Sequence, residues 1–476
     1  MESLIDPLVR LVRAAWTLGR YDAILPREYY DMLPWSARLV GRLMRLGART
    51  IAGDPGTRLA AALEKLGPAW IKFGQLLATR PDIIGEAAAQ GLSRLKDQLA
   101  PFPDAVAVAA LDHAFGDQRE NLFPELGPVI AAASVAQVHR TVLPDGRVVA
   151  VKLLRPGIER EIAAEGRAMI LAARLVQALV PQARRLEPIA FVSTIRAALD
   201  KELDLRREAG AGDAFGEIVA ADGYLKVPAV DWERTARRVL TTTWVEGTPL
   251  TRPGALDGAD RPKLANAVTC GFLAAALDHG VFHADMHEGN LILGPEGALW
   301  AVDFGIMGRI GKAEQRYLAE ILYAFLRRDY RRAAAVHIEA GYVPAHHDEG
   351  EFAHALRAVG EPIWGRPARD VSMGRVLTQL FDVTEQFGMH MRPELILLQK
   401  TMVQVEGVAR TIDPDHDIWE ASRPVVERFM SRELGPEGVA RQMFEDATNL
   451  LASARKLPHL IARIEKLVDQ AEQASD

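Results

Sequence analysis

The sequence predicts an α+β chain with short strands set between long helical segments. Three observations predict it. Helical periodicity runs through residues 35 to 100, strand-like runs occupy about 125 to 154 and 224 to 250, and everything after about 312 is helical in pattern. At 476 residues the chain has room for more than one domain or for one large two-lobed fold.

Composition narrows the class. Hydrophobic residues at 49% and charged residues at 25% exclude a disordered chain, a collagen-like chain and a simple coiled coil. A net charge of -6 gives no basic field, so no nucleic-acid partner is expected. The single cysteine, Cys270, excludes an intrachain disulfide framework, a multi-cysteine zinc site and a cysteine-ligated iron–sulfur cluster. It reads as an inert core thiol and fits a reducing compartment. Mean hydropathy of -0.01 calls for a check on membrane spans. The run 168–181 is short and carries Arg174, and the run 264–284 contains Asn266, Asp278, His279 and His283. Neither offers the roughly 20 clean apolar residues of a spanning helix. The start, Met1-Glu2, is acidic and no small-residue cleavage site follows, so no signal peptide is expected.

The elements follow in order. In residues 4–20, Leu4, Leu8, Leu11, Val12 and Ala15 recur at helical spacing, with Arg10, Arg13 and Arg20 toward the other side and Trp16 at the boundary. Such a helix either docks on its own domain or lies on an anionic membrane surface. Residues 35–100 include Lys72-Phe73-Gly74-Gln75 and Thr79-Arg80-Pro81-Asp82. Gly74 weakens that helix, which points to a close backbone approach or a packing site. Two or three antiparallel strands are expected, from 128–130 leading into the Ala-rich segment 131–134, from 135–142 and from 148–154, the last two joined by a turn with Asp145-Gly146 at its tip. Residues 158–215 are helical and charged. Further strands are expected at 225–228 and 238–247, an apolar helix at 262–280, and short strands at 291–293 and 299–302. The end, 461–476, reads as a polar amphipathic helix.

The chemistry lies in a fixed order of motifs. An Ala-rich turn, 131–134, precedes Val149-Ala150-Val151-Lys152. Glu202-Leu203-Asp204 follows on a helix. His283-Ala284-Asp285-Met286-His287-Glu288-Gly289-Asn290 comes next, and Asp303-Phe304-Gly305 follows a strand. This is the order of a protein-kinase-like phosphotransfer site, and Asn290 lies five residues after Asp285 as a kinase catalytic loop requires. Each residue type has a task. Lys152 meets the α- and β-phosphates of ATP, and Glu202 is the anion expected to hold it in place. Asp303 and Asn290 offer the hard oxygen ligands that Mg²⁺ prefers. Asp285 sits where a carboxylate accepts a proton from, or orients, an attacking hydroxyl or water. The Asp-Phe-Gly triplet alone is weak, and Val-Ala-Val-Lys alone is an ordinary buried strand; the ordered set is specific. His283, Asp285 and His287 also read as a two-histidine-one-carboxylate iron site. Asn290 and Asp303 account for the loop without iron.

On these motifs the chain resembles the UbiB/ADCK family of atypical kinases, linked to ubiquinone biosynthesis, from about residue 5 to 470. Lys72-Phe73-Gly74-Gln75 matches that family's KxGQ motif, and 92–97, Leu-Ser-Arg-Leu-Lys-Asp, also looks like it. Ala131, Ala132, Ala133 and Ser134 match its Ala-rich loop, where ordinary kinases have glycines. Glu202-Leu203-Asp204 matches its ExD, with Arg207-Glu208-Ala209 behind it. Met286 and Glu288 stand where the family usually has prolines, and Ala211 where it often has asparagine.

The resemblance implies a bilobal protein-kinase-like α+β fold with a helical N-terminal extension packed over the active site. The expected divisions are an amphipathic helix at 1–34, a helical extension at 35–124, an N-lobe with a helical insertion at 125–250 and a helical C-lobe at 251–476. The implied function is an ATP-binding, Mg²⁺-dependent atypical kinase or ATPase supporting ubiquinone biosynthesis. The alternatives are a kinase acting on a protein or small-molecule hydroxyl, a non-catalytic lipid chaperone, and, last, a polyprenylphenol hydroxylase. Catalytic roles are expected for Asp285, Lys152 and Glu202. Nucleotide contacts are expected from Ala131, Ala132, Ala133, Ser134, Lys152, Lys72 and Gln75, and metal ligation from Asn290 and Asp303. The helix carrying Lys72 and Gln75 is expected to cover the cleft and keep protein substrates out. Implied partners are ATP, quinone-pathway lipid intermediates, other ubiquinone-biosynthesis proteins and an anionic membrane surface. Bacterial members usually end in hydrophobic anchoring helices. None is evident here, so the expected place is the bacterial cytoplasm, peripheral to the inner membrane.

Overall fold

The computed structural model describes residues 5–23, 54–78, 84, 86–92, 95, 100–179, 184, 187–363, 379, 380, 383, 386–389 and 393–435. The expected helix at 461–476, the Thr79–Asp82 segment, and Ser93, Arg94, Lys96 and Asp97 lie outside the described residues. In chain order the helices are α1 (Ile5–Arg20), α2 (Pro55–Leu66), α3 (Pro68–Ala78), α4 (Glu86–Leu92) and α5 (Asp104–Phe115). Strands β1 (Val129–Ala132), β2 (Ala136–Val142) and β3 (Val148–Leu154) precede α6 (Ile158–Leu179), α7 (Pro188–Glu202) and α8 (Leu205–Asp222). Then come β4 (Val239–Thr243), β5 (Thr248–Pro249), α9 (Arg261–His279), β6 (Val281–His283), β7 (Leu291–Leu293), β8 (Leu299–Ala301) and β9 (Met307–Arg309). Helices α10 (Lys312–Leu326), α11 (Tyr330–Glu339), α12 (Glu349–Gly360), α13 (Pro393–Ile412) and α14 (Ile418–Leu434) follow. The chain divides into two compact units. One comprises Met1–Glu217, Lys226–Pro249 and Asn290–Ile306; the other comprises Ile218–Leu225, Leu250–Gly289 and Met307–Asp476.

The first unit is built on an antiparallel sheet of order β1-β2-β3-β4. The β2–β3 turn forms where Asp-Gly predicts it. Gly146 takes a φ of +85°, and Asp145 Oδ1 accepts from Arg147 N at 3.0 Å. Alternation along β3 buries Val149, Val151 and Leu153 against Phe102, Leu111 and Phe123, which leaves Lys152 on the opposite face. The expected strand at 225–228 is reduced to one bridge, Lys226 to Trp300. The β7–β8 hairpin belongs to this unit and pairs Leu291 with Ala301.

The N-terminal helices pack on α6. Helix α2 starts at an Asp54 cap, whose Oδ1 accepts from Thr57 N at 3.0 Å. Trp70 and Leu63 join Met169 and Ala173 in one buried cluster with Ala14 of α1. Gly74 is a packing glycine: a methyl there would come within 2.6 Å of Leu63 and Leu95 side-chain carbons. Helix α1 docks on its own unit, one of the two expected readings, and does so partly through its basic side. Arg10 Nη1 and Arg13 Nη2 donate to Glu165 Oε1 at 2.7 and 2.6 Å, so these two members of the basic stripe face the protein rather than a lipid surface. Ile5, Leu8, Val9, Val12 and Trp16 are turned outward, at 71, 53, 61, 55 and 50% exposure. The cause is Glu165, whose side chain is 1% exposed and must be charge-paired where it lies.

The second unit is helical around α9. Its Asp260 cap accepts from Lys263 N, and Gly280 ends it at a φ of +68°. Helices α13 and α14 pack against it. Cys270 is buried there and its thiol donates to Ala421 O at 3.2 Å, as a core residue. The two-stranded β6–β9 sheet follows α9 directly. Among the described residues no helix is long and apolar enough to cross a membrane.

Candidate active site

In the first unit, Lys152 Nζ donates to Glu208 Oε1 and Oε2 at 2.7 and 2.9 Å and to Asp303 Oδ1 at 3.3 Å. The expected pair with Glu202 is not made. Glu202 ends α7, and its carboxylate lies 3.5 Å from Lys72 Nζ of α3. The chain turns at Leu203-Asp204, where Asp204 Oδ1 accepts from Arg206 N at 3.2 Å. Helix α8 therefore starts in a new direction and delivers Glu208, from its first turn, to Lys152. Glu208 stands in the Arg-Glu-Ala segment that follows the ExD motif, so the signal was present; only the helix break decides between the two glutamates.

Burial opposes charge on Lys152, but Asp303 and Glu208 outweigh it and hold its pKa above the ordinary lysine value. Burial, aided by the nearby Asp303 charge and opposed by Lys152, pushes the Glu208 carboxyl up to about 7.

Asp303 and Asn290 are placed by the β7–β8 register. Asn290 directly precedes β7 and Val302 directly follows β8, and Val302 N donates to Asn290 O at 3.0 Å. Asp303 takes a left-handed φ of +63°, a conformation that costs a non-glycine residue on the order of 1 kcal/mol. Phe304 anchors it, 5.8 Å centroid to centroid from Phe215 and against Gly212, where a methyl would come within 2.7 Å of the ring. A carboxylate and an amide oxygen, both hard donors, fit Mg²⁺ completed by phosphate oxygens and water rather than a closed protein cage. Among the described residues no group of three or more His, Cys, Asp and Glu side chains is arranged to hold a metal. The iron reading gains nothing from the loop: His283 Nδ1 accepts from Asp285 N at 3.2 Å, and His287 Nδ1 accepts from Gly289 N at 3.0 Å.

Ala131 and Ala132 lie in β1, opposite Val138 and Gln137, and Ala133 N donates to Ala136 O at 2.7 Å. Ser134 is buried. Arg155, which the sequence reading did not single out, grips this turn. Its guanidinium donates to Ser134 O at 3.3 Å, Ala133 O at 3.4 Å and Ala100 O at 3.0 Å. Gln75 lies on α3, one turn beyond Lys72.

In the second unit, Asp285 follows β6 on a loop held by α13. Gln404 Nε2 donates to Asp285 Oδ1 at 3.3 Å, and His287 Nε2 lies 3.7 Å from Asp285 Oδ2. Gln404 is a further residue the sequence reading missed; 119 residues separate it from Asp285.

Residues 94–337 match the ABC1 atypical kinase-like domain, and residues 356–417 match the UbiB helical domain. The chain is 36% identical over 471 residues to a Marinobacter nauticus protein named Probable protein kinase UbiB, covering 95% of this chain and 84% of that one. Among solved structures it resembles Mycobacterium tuberculosis Rv3197, described in complex with erythromycin. The TM-score is 0.52 at 23% identity, covering 85% of this chain and 99% of that one. That likeness supports the kinase-like fold.

Proposed function

Because the chain belongs to the UbiB family of ABC1 atypical kinases, we propose that it is a Mg²⁺-dependent, ATP-hydrolysing enzyme that supports ubiquinone biosynthesis. The observation that carries the reading is the Lys152–Glu208–Asp303 cluster, a lysine held between two carboxylates beside the Asn290 loop. Lys152 binds the α- and β-phosphates, and Glu208 keeps its ammonium charged and aimed. Asp303 and Asn290 would hold Mg²⁺, which supplies charge neutralisation across the phosphate oxygens when bound. Asp285 accepts the proton of the attacking water or hydroxyl on a carboxylate oxygen. The backbone of Ala131, Ala132, Ala133 and Ser134 takes the place of a glycine-rich phosphate loop. Alanine restricts φ there, so nucleotide handling differs from that of a glycine-loop kinase.

Lys72 and Gln75 belong to a lid that keeps protein substrates out, with Glu202 as the latch for Lys72. This favours free phosphate over a phosphorylated protein as product. The enzyme works in the bacterial cytoplasm at the inner-membrane face, with quinone-pathway intermediates as partners and the outward apolar stripe of α1 as its membrane contact. Purified protein given γ-labelled MgATP tests the reading. Free labelled phosphate is expected, stimulated by lipid vesicles and phenolic quinone precursors. Label on a protein or lipid hydroxyl would make the enzyme a kinase, and no turnover with bound MgATP would make it a chaperone.

A further inference from the structure

We infer that α13 is part of the catalytic apparatus, with Gln404 and Lys400 acting as positioning residues for Asp285. The inference rests on the role proposed above for Asp285 and extends it to a helix within the segment that matches the UbiB helical domain.

Helix α13 meets the loop after β6 along one stripe. Thr401 is fully buried; its hydroxyl donates to Leu397 O at 2.8 Å and also reaches Ala284 O at 3.4 Å. Gln404, three residues on, donates its side-chain amide to Asp285 Oδ1 at 3.3 Å. Lys400 precedes Gln404 by four residues, so both lie on the same helical face. Two successive residues of the loop, Ala284 and Asp285, are thus docked on adjacent turns of one rigid element.

The chemistry of the stripe suits a carboxylate that must stay aimed. The Asp285 side chain is 41% exposed, so burial alone does not fix its rotamer. A neutral amide donor on Oδ1 fixes one oxygen without neutralising it and leaves Oδ2 turned toward His287. The loop from Ala284 to Asn290 contains no lysine or arginine. Lys400 brings a cation from outside it. Desolvation lowers the Lys400 pKa while the Asp285 charge pulls it up, so the two groups sense each other.

A merely structural stripe would tie helix to loop and leave rate constants per folded molecule unchanged. The full chain with Gln404→Met or Lys400→Met separates the two. Each variant keeps an unbranched, helix-compatible side chain and leaves the Thr401 anchor intact. Steady-state MgATP turnover is measured beside thermal midpoint and MgATP affinity. The expected result is a fall in kcat of roughly tenfold or more, with KM for MgATP within about twofold of the parent, because what is lost is the alignment of the reacting group. Lys400→Arg is expected to retain most of the parental kcat. In an Asp285→Asn background neither substitution should lower turnover further, since both act through that carboxylate. Parental kcat in folded Gln404→Met and Lys400→Met overturns the inference while leaving the Asp285 role standing. An undiminished further loss in the Asp285→Asn background also overturns it. Parental turnover by Asp285→Asn itself refutes the role of Asp285 and the inference together.

Discussion

Replacing Arg10 and Arg13 together with alanine should destabilise the first unit far more than removing two surface arginines. Glu165 is 1% exposed and accepts three hydrogen bonds, from Arg10 at 2.7 Å, Arg13 at 2.6 Å and Trp70 Nε1 at 2.9 Å. Without the arginines a buried carboxylate keeps one neutral donor. Stranding a buried charge in this way costs about 3–5 kcal/mol. The opposite deletion is milder. In Glu165→Leu the arginine side chains, 30% and 52% exposed, turn to water, and the chief orphan is the Trp70 N–H, worth about 1–3 kcal/mol. The triple variant, Arg10→Ala, Arg13→Ala and Glu165→Leu, should therefore recover much of what the double loses. Calorimetric melting of the full chain reads the effect, at about 2–4 °C per kcal/mol for a unit of this size. Arg140→Ala is the control, because its 3.5 Å contact with Glu246 joins side chains 39% and 69% exposed. If the double variant shifts the midpoint no more than this control, or if the triple recovers nothing, the charge-pairing account of α1 is wrong.

Other consequences follow from particular side chains. Glu208→Gln should cut MgATP turnover at least tenfold, whereas Glu202→Gln should leave Lys152 in place and alter chiefly what the Lys72 latch controls; equal losses of turnover in the two would contradict the pairing seen here. Burial pushes the Glu406 carboxyl up to about 7, with Arg410 opposing and Asp417 adding to the rise. An acid raised in the folded state favours folding below its ordinary pKa and loses that contribution as pH rises toward 7. Glu406→Gln should therefore gain stability over the parent at pH 8, by at most about 3 kcal/mol, and little at pH 5, by urea unfolding. A pH-independent difference would refute this. For the membrane contact proposed on α1, Val12→Asp with Trp16→Asp should abolish vesicle co-sedimentation. Retained binding would place the contact elsewhere.

How much was legible in the sequence depended on the range of the physics involved. The Asp145-Gly146 turn, the alternation that sets Lys152 apart from Val151 and Leu153, and the apolar helix at 262–280 are local, and local patterns carried them. The placement of Asn290 beside Val302 follows from a hairpin register readable over a dozen residues. Three features were not legible for one reason: each depends on where a distant chain segment comes to rest. Glu202 is the expected partner of Lys152, and only the break at Leu203-Asp204, which starts α8 anew, brings Glu208 there instead. Arg10 and Arg13 look like a lipid-facing stripe until Glu165, more than 150 residues away, is buried beneath them. Gln404 carries no motif, and only the packing of α13 on the loop reveals it.

Asp303 and Asn290 are proposed to hold the metal that accompanies a nucleotide on Lys152. Calorimetric titration of the full chain with ATP, with and without Mg²⁺, tests it in the parent and in Asp303→Asn. That substitution removes a charge from the metal's ligand set and an acceptor from Lys152, which Asp303 Oδ1 meets at 3.3 Å. Mg²⁺ is expected to strengthen ATP binding in the parent, and this gain is expected to be lost in Asp303→Asn while the variant stays folded. An Asp303→Asn protein that binds MgATP as tightly as the parent, with the same dependence on Mg²⁺, would contradict it.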